Sequence, residues 1–154
     1  MKKLLMIIVM LLGMSTQLLY AAGTCVLDAS DSSPSGQSRW TSYICTGAAI
    51  GGLFDPVTIT GFKGYFLYSV ETWPGTTPPT DASDFTLLDS VTGEDMMGTN
   101  GTNAIDSTTP VSVLPKSTVA AVNFYHLIKG NLSLVITGNT DNGGIIHIRI
   151  TGVR

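Results

Sequence analysis

Charge is scarce in this 154-residue chain: Asp, Glu, Lys and Arg make up only 12% of it, and histidine occurs twice. The basic residues beyond the N-terminus, Arg39, Lys63, Lys116, Lys129, Arg149 and Arg154, are scattered. That excludes the clustered phosphate neutralisation on which nucleic-acid binding depends. Helix signals are nearly absent from Gly23 onward, and no apolar run reaches the ~20 residues that a membrane-spanning helix needs. Catalytic signatures are missing as well. The chain has no G-x-S-x-G elbow and no EF-hand spacing, and His126 and His147 are the only imidazoles that could serve a nucleophile.

At the N-terminus, Lys2 and Lys3 precede an apolar run over 4–12. Gly13, Ser15, Thr16 and Gln17 then interrupt it, and Ala21 and Ala22 supply small residues. The pattern predicts a secretory signal-peptide helix over 1–22, cut after Ala22, and an exported chain, periplasmic or extracellular, that meets a membrane only through that transient segment. Cleavage removes two of eight basic residues and none of the eleven acidic ones, leaving 6 − 11 = −5. Such a balance favours solubility. Cys25 and Cys45 are the two cysteines, and in an oxidising compartment they read as a disulfide. Closing that loop would stabilise the fold by ~3 kcal/mol and clamp the first strand. A catalytic thiol would need a polar activating neighbour, which neither cysteine has in sequence.

Residues 23–154 read as one all-β domain: β-branched and aromatic residues recur in short runs separated by Gly, Pro, Asn, Asp and Ser clusters. A short strand over 25–28 is followed by a polar loop over 28–38, then by a strand around RWTSYICTG. In VTITGFKGYFLYSVETW, Val57 and Ile59 share a face, and Gly61 breaks the run into two strands or a bulge. Strict alternation beyond it puts Phe66, Tyr68 and Val70 on one face and Tyr65, Leu67, Glu71 and Trp73 on the other. Bulk on both faces marks an inner strand. Pro74-Gly75 turns the chain, and DFTLLD forms a strand with a turn at 91–94. GTNGTNAIDSTTP reads as a long exposed loop, VSVLP as a brief edge strand, and TVAAVNFYHLIKG as either a helical turn or a strand. Leu132, Leu134 and Ile136, and then Ile146, Ile148 and Ile150, alternate with polar or smaller residues on either side of GNTDNGG, which reads as a hairpin. Seven or eight short strands in this order predict an antiparallel β-sandwich of jelly-roll type.

Chemistry-bearing residues are read in the same way. His147 falls on the outward side of its strand, and His126, among Phe124, Tyr125 and Leu127, reads as packed and hydrogen-bonded. Asp81, Asp84, Asp89, Glu94, Asp95, Asn100, Asn103 and Asp106 could offer oxygens to calcium, but they are more simply turn-formers that accept local backbone hydrogen bonds. Trp40 and Trp73 read as core residues, with a sugar-stacking platform as the alternative. No catalytic residue, cofactor or metal ligand is assigned. Tyr65, Tyr68, Trp73, Asn100 and Asn103 are the candidate interaction surface, facing copies of the chain, other structural proteins or a surface glycan.

The order of motifs adds a resemblance. Trp40-Thr41-Ser42, Gly61, Pro74-Gly75 with Pro79-Thr80-Asp81, Asp84-Phe85-Thr86-Leu87 with Asp89, and Gly93 to Asp95 follow one another along the chain. They are succeeded by Gly98, Gly101, Gly130, Leu132 to Leu134, Gly138-Asn139 and Asn142-Gly143-Gly144. In this order the chain resembles small all-β structural proteins encoded by tailed bacteriophages and prophages. The resemblance implies a non-enzymatic, virion-associated part, such as a head-decoration or tail-associated protein, that works by shape and self-association and has no catalytic residues to carry over.

Overall fold

The computed structural model describes residues 22–33, 36–116 and 125–154. The signal-peptide reading and most of TVAAVNFYHLIKG lie outside them. The described residues form eight strands: β1 (Thr24–Ser33), β2 (Ser38–Thr46), β3 (Val57–Ile59), β4 (Phe66–Pro74), β5 (Asp84–Asp89), β6 (Val111–Val113), β7 (Leu132–Thr137) and β8 (Ile145–Val153). They build two antiparallel sheets, ordered β1-β2-β8-β4-β6 and β3-β7-β5.

That order follows from one long hairpin rolled on itself. β2 pairs β8, β3 pairs β7 and β4 pairs β6. At the tip a single bridge joins Leu88 to Asp95. The first arm therefore pairs antiparallel with the second in nested order, and rolling the ribbon brings β8 beside β4 and β7 beside β5. This is the jelly-roll arrangement that the sequence pattern predicts. Its core lies between the sheets. Tyr43, Cys45, Leu67, Val70, Ile146, Ile148 and Ile150 come from the larger sheet, and Ile59, Phe85, Leu87, Leu132, Leu134 and Ile136 from the smaller. Cys25 and Cys45 stand directly opposite on β1 and β2 and are joined as a disulfide.

The structure corrects several local readings. β7 and β8 are not a hairpin: each has one buried face, as their alternation requires, but they lie in different sheets. Alternation reports which side chains are inward and says nothing about which neighbour supplies the ladder. The polar stretch 28–33 is not loop but the second half of β1. There the register shifts between Asp28 and Ser33, the Ser30 N–H and hydroxyl donate to Asp28 Oδ1 at 3.0 and 2.6 Å, and the Ser32 hydroxyl donates to the Asp28 carbonyl at 2.7 Å. Side chains of Ser and Asp supply the hydrogen bonds that an irregular edge lacks. The segment 98–110 is also less exposed than its composition suggests. It opens with a 3-10 turn at Gly98–Gly101 and buries Gly101, Ala104 and Ile105.

One irregularity decides what reaches the surface. β4 slips register against β8 between Leu67 and Ser69, so Leu67 pairs Gly152 while Val70 and Thr72 pair the inward Ile150 and Ile148. Strict alternation cannot place Leu67, Val70 and Thr72 on one face. A bulge can, because it adds one residue to one strand.

Candidate functional site

Because of that bulge, the outer face of the larger sheet carries Phe66 and Tyr68 at one end and Glu71 and Trp73 at the other. Glu71 pairs Arg149 and Trp73 pairs His147 across the β4–β8 ladder. Arg149 is the hub of the polar end. Its Nη2 lies 2.6 Å from Asp31 Oδ2, its Nη1 3.1 Å from Glu71 Oε2 and its Nε 3.4 Å from Ser42 Oγ. The Arg149 hydrogen bond, with a second from the Ser42 hydroxyl, holds the Asp31 carboxyl below its ordinary range, and Asp31 raises Arg149 in turn. The Trp73 ring stacks on His147 at 5.3 Å between centroids and 10° between planes, and the Arg149 guanidinium carbon lies 5.4 Å from the ring centre. Beside this group is an open cleft of about 360 Å³ lined by Glu71, Trp73, Pro110, Val111, Ser112 and Arg149.

The aromatic end is a square of four side chains. Residues 126–128 run along the first part of β4: Leu67 N–H donates to His126 O and Ile128 N–H to Tyr65 O, both at 2.8 Å. Phe66 is thereby the bridge partner of Leu127. Two residues along, Tyr68 stacks on Tyr125 at 5.6 Å and 15°. All four keep more than two-fifths of their surface exposed. Scattered exposed apolar residues are ordinary, but four in one cross-strand block are not.

The candidate surface residues separate into three places. Tyr68 and Trp73 share the outer face. Tyr65 does not: it is 4% exposed, its hydroxyl donates to Gly36 O at 3.0 Å, and Arg154 covers its ring at 4.0 Å. Asn100 and Asn103 hold the 98–110 segment in place. Asn100 Nδ2 donates to Leu114 O at 2.9 Å, and Asn103, at φ 52°, donates its N–H to Asp84 Oδ1 at 2.7 Å. Trp40 and Trp73 are both half-buried and belong to the outer face rather than the core. Tyr125 and Leu127 were missed, and the signal that could have found them was their two-residue spacing opposite Phe66 and Tyr68.

His147 stands outward as its strand position implies, and His126 is 7% exposed with Nδ1 3.4 Å from Glu94 Oε1. The acidic and amide residues act as latches, some of them over long sequence separations. Asp89 is 1% exposed. Its Oδ1 accepts from the N–H groups of Val91 (2.8 Å) and Thr92 (3.1 Å), and its Oδ2 from those of Lys129 (2.7 Å) and Gly130 (3.1 Å). Burial alone would raise its pKa, but these four donors outweigh it and the carboxyl titrates below its ordinary range. Asp95 Oδ1 accepts from Leu87 and Met97 N–H, both at 3.1 Å. Asp106 accepts from the Thr108 and Thr109 N–H groups and the Thr108 hydroxyl, which brings it down to about 2. Asn139 accepts from Thr80 N–H at 2.8 Å and donates to Gly52 O at 2.7 Å, tying the proline corner to the turn after β7.

A chain of the cyanophage Pam1 capsid asymmetric unit is similar to this chain at a TM-score of 0.37 and 12% sequence identity, over 86% of each. No family profile and no curated protein matches the sequence.

Proposed function

We propose that this is a non-enzymatic structural protein, exported and virion-associated, whose rigid β roll presents the outer face of its larger sheet to a second copy of itself. The observation that carries the reading is the block formed by Phe66, Tyr68, Tyr125 and Leu127. Phe66 and Tyr68 stand on β4, and the segment that carries Tyr125 and Leu127 is tied to it by the Phe66–Leu127 bridge and the flanking backbone hydrogen bonds, which limits the side-chain freedom lost on contact. Stacked tyrosines suit a two-fold contact in which the same patch meets itself. The sequence resemblance to phage structural proteins supports the virion part, and the Cys25–Cys45 disulfide fits an oxidising compartment.

Sedimentation velocity of the exported, oxidised protein over a dilution series tests this. Self-association that weakens at least tenfold in Tyr68→Ser/Leu127→Ser, with the far-ultraviolet spectrum unchanged, is the expected result. A protein that stays monomeric throughout the series, or one whose association ignores the double substitution, overturns it.

A further inference from the structure

The two ends of the larger sheet carry opposite charge, and we infer that they join head to tail between copies of the chain, the acidic end of one on the basic corner of the next. At the end where β2 and β4 finish and β8 begins, four loops are laced together. Gly47 N–H donates to Gly144 O at 2.8 Å, Gly143 N–H to Ala48 O at 3.0 Å and Ile145 N–H to Thr77 O at 2.7 Å, and Ser107 N–H reaches Asp81 Oδ1 at 3.3 Å. The stretches 47–56, 75–84, 102–110 and 138–144 hold Asp55, Asp81, Asp84, Asp106 and Asp141 and no Lys, Arg or His. Among these acids Ile50 and Leu53 stand 54% and 64% exposed. Their loop is held in place, because Gly51 N–H donates to Asn142 Oδ1 and Asn139 Nδ2 donates to Gly52 O, both at 2.7 Å.

The opposite end, where β2 and β4 begin and β8 finishes, brings Arg39, Lys63 and Arg154 to one corner. The Arg39 guanidinium carbon lies 5.0 Å from the Phe62 ring centre and that of Arg154 4.0 Å from the Tyr65 ring centre, and the two rings meet edge to face at 6.1 Å. Lys63 and Arg154 are exposed, and the stretches 36–40, 60–66 and 151–154 hold no acid. The adjoining ribbon tip sets Lys129 against Asp89, Glu94 and Asp95, so the basic ground is this corner rather than the whole end. β2 spans the sheet from Ser38 to Thr46, which puts the two ends roughly 27 Å apart at ~3.4 Å per residue. That is about three times the screening length at physiological ionic strength, so the ends of one copy scarcely act on each other. Between copies they come within range. Opposite potentials there steer the encounter and fix its register, while Ile50 and Leu53 meet the methylene stems of Lys63 and Arg154. The contact is heterologous: each joined pair keeps one free end of either sign, so it extends into rows or closes into a ring. The aromatic square, on a different surface, then links one row to another.

The test isolates this contact in the full exported protein carrying Tyr68→Ser/Leu127→Ser, which removes the aromatic one. Sedimentation velocity over a dilution series is run at about 20 mM and about 500 mM salt, where the screening lengths differ severalfold. We expect association at the lower salt that weakens at least tenfold at the higher, and an equal loss when Lys63→Glu/Arg154→Glu or Asp55→Lys/Asp81→Lys is added. All four positions are exposed, so the core is untouched. Mixing the two charge variants gives the decisive reading. The first keeps its acidic end and the second its basic corner, so association returns in the mixture alone. The inference fails if the parent stays monomeric at the lower salt, if its association ignores salt or either reversal, or if the mixture stays dissociated. The proposed aromatic contact is read separately, at the higher salt in the chain that retains Tyr68 and Leu127, so failure of one reading is distinguished from failure of the other.

Discussion

Replacing Asp89 by Asn tests the hub of the fold with a change of one atom. The carboxylate accepts four backbone N–H bonds, two on each oxygen, from the turn after β5 and from the strand approach at 129–130. An amide of the same shape keeps one acceptor oxygen and turns an NH₂ toward the other pair of donors. Donor then faces donor on one side, whichever way the amide is placed. Hydrogen bonds to a charged acceptor contribute ~1.5–3 kcal/mol each, and the exposed turn recovers part of the loss through water, so the net cost is about 2–4 kcal/mol. For a domain of this length the melting temperature should drop by roughly 6–15 °C. The acid limb supplies a second readout. Asp89 has a folded pKa below its unfolded value, so its contribution is complete above the ordinary aspartate range and is lost as pH falls through the folded pKa. Thermal unfolding by circular dichroism from neutral pH to below about pH 4 should therefore show a shallower acid decline in Asp89→Asn than in wild type. Some decline must persist, because Asp28, Asp31 and Asp106 are shifted in the same direction. A variant that melts within about 2 °C of wild type at neutral pH, with the same acid limb, would refute the latch reasoning.

Two further substitutions probe the frame. Cys25→Ala/Cys45→Ala removes a cross-link spanning 20 positions and should cost about 3 kcal/mol in denaturant unfolding, with amide exchange rising first in the edge strand β1; coincident unfolding curves would argue against it. Gly101→Ala places a methyl against the Phe85 carbonyl oxygen of β5, so overpacking should destabilise by about 1–3 kcal/mol, and an unchanged denaturation midpoint would mean that the 98–110 segment yields freely.

The sequence made the inward faces of β7 and β8 legible because Leu132, Leu134 and Ile136, and Ile146, Ile148 and Ile150, keep strict alternation. It could not show that these strands part company between sheets, since a turn of Gly, Asn and Asp serves a hairpin and a sheet-to-sheet corner equally well. β4 shows a different limit. Its bulge shifts every residue after Tyr68 to the opposite face, and the sequence there carries no glycine to announce it. Tyr68 and Trp73 therefore looked opposed when they share a surface; Tyr65 lies before the bulge, and it is packed instead by its hydroxyl's bond to Gly36 O and by Arg154 over its ring. The acidic residues were legible as turn-formers, and Asp106 behaves that way. Asp89 and Asn139 do more, reaching 41 and 87 positions along the chain, and local composition contains nothing about such distances.

The roll leaves its two sheets with unequal tasks. The smaller sheet has Thr58 exposed at its edge, the larger sheet against its inner face, and the ribbon tip held by Asp89. The larger sheet adds β1, locked by the disulfide, and turns outward a face that runs from an aromatic block through an Arg149 ion-pair chain to a tryptophan beside a cleft. Arg149 does little for stability at such exposure, because partly solvated ion pairs contribute ~0–1 kcal/mol. Its geometric effect is larger: by holding Glu71 and lying over Trp73 it keeps the polar end ordered next to an apolar end that is ordered by stacking. The two ends of this face are chemically distinct, and the single inserted residue in β4 is what brings them onto one side.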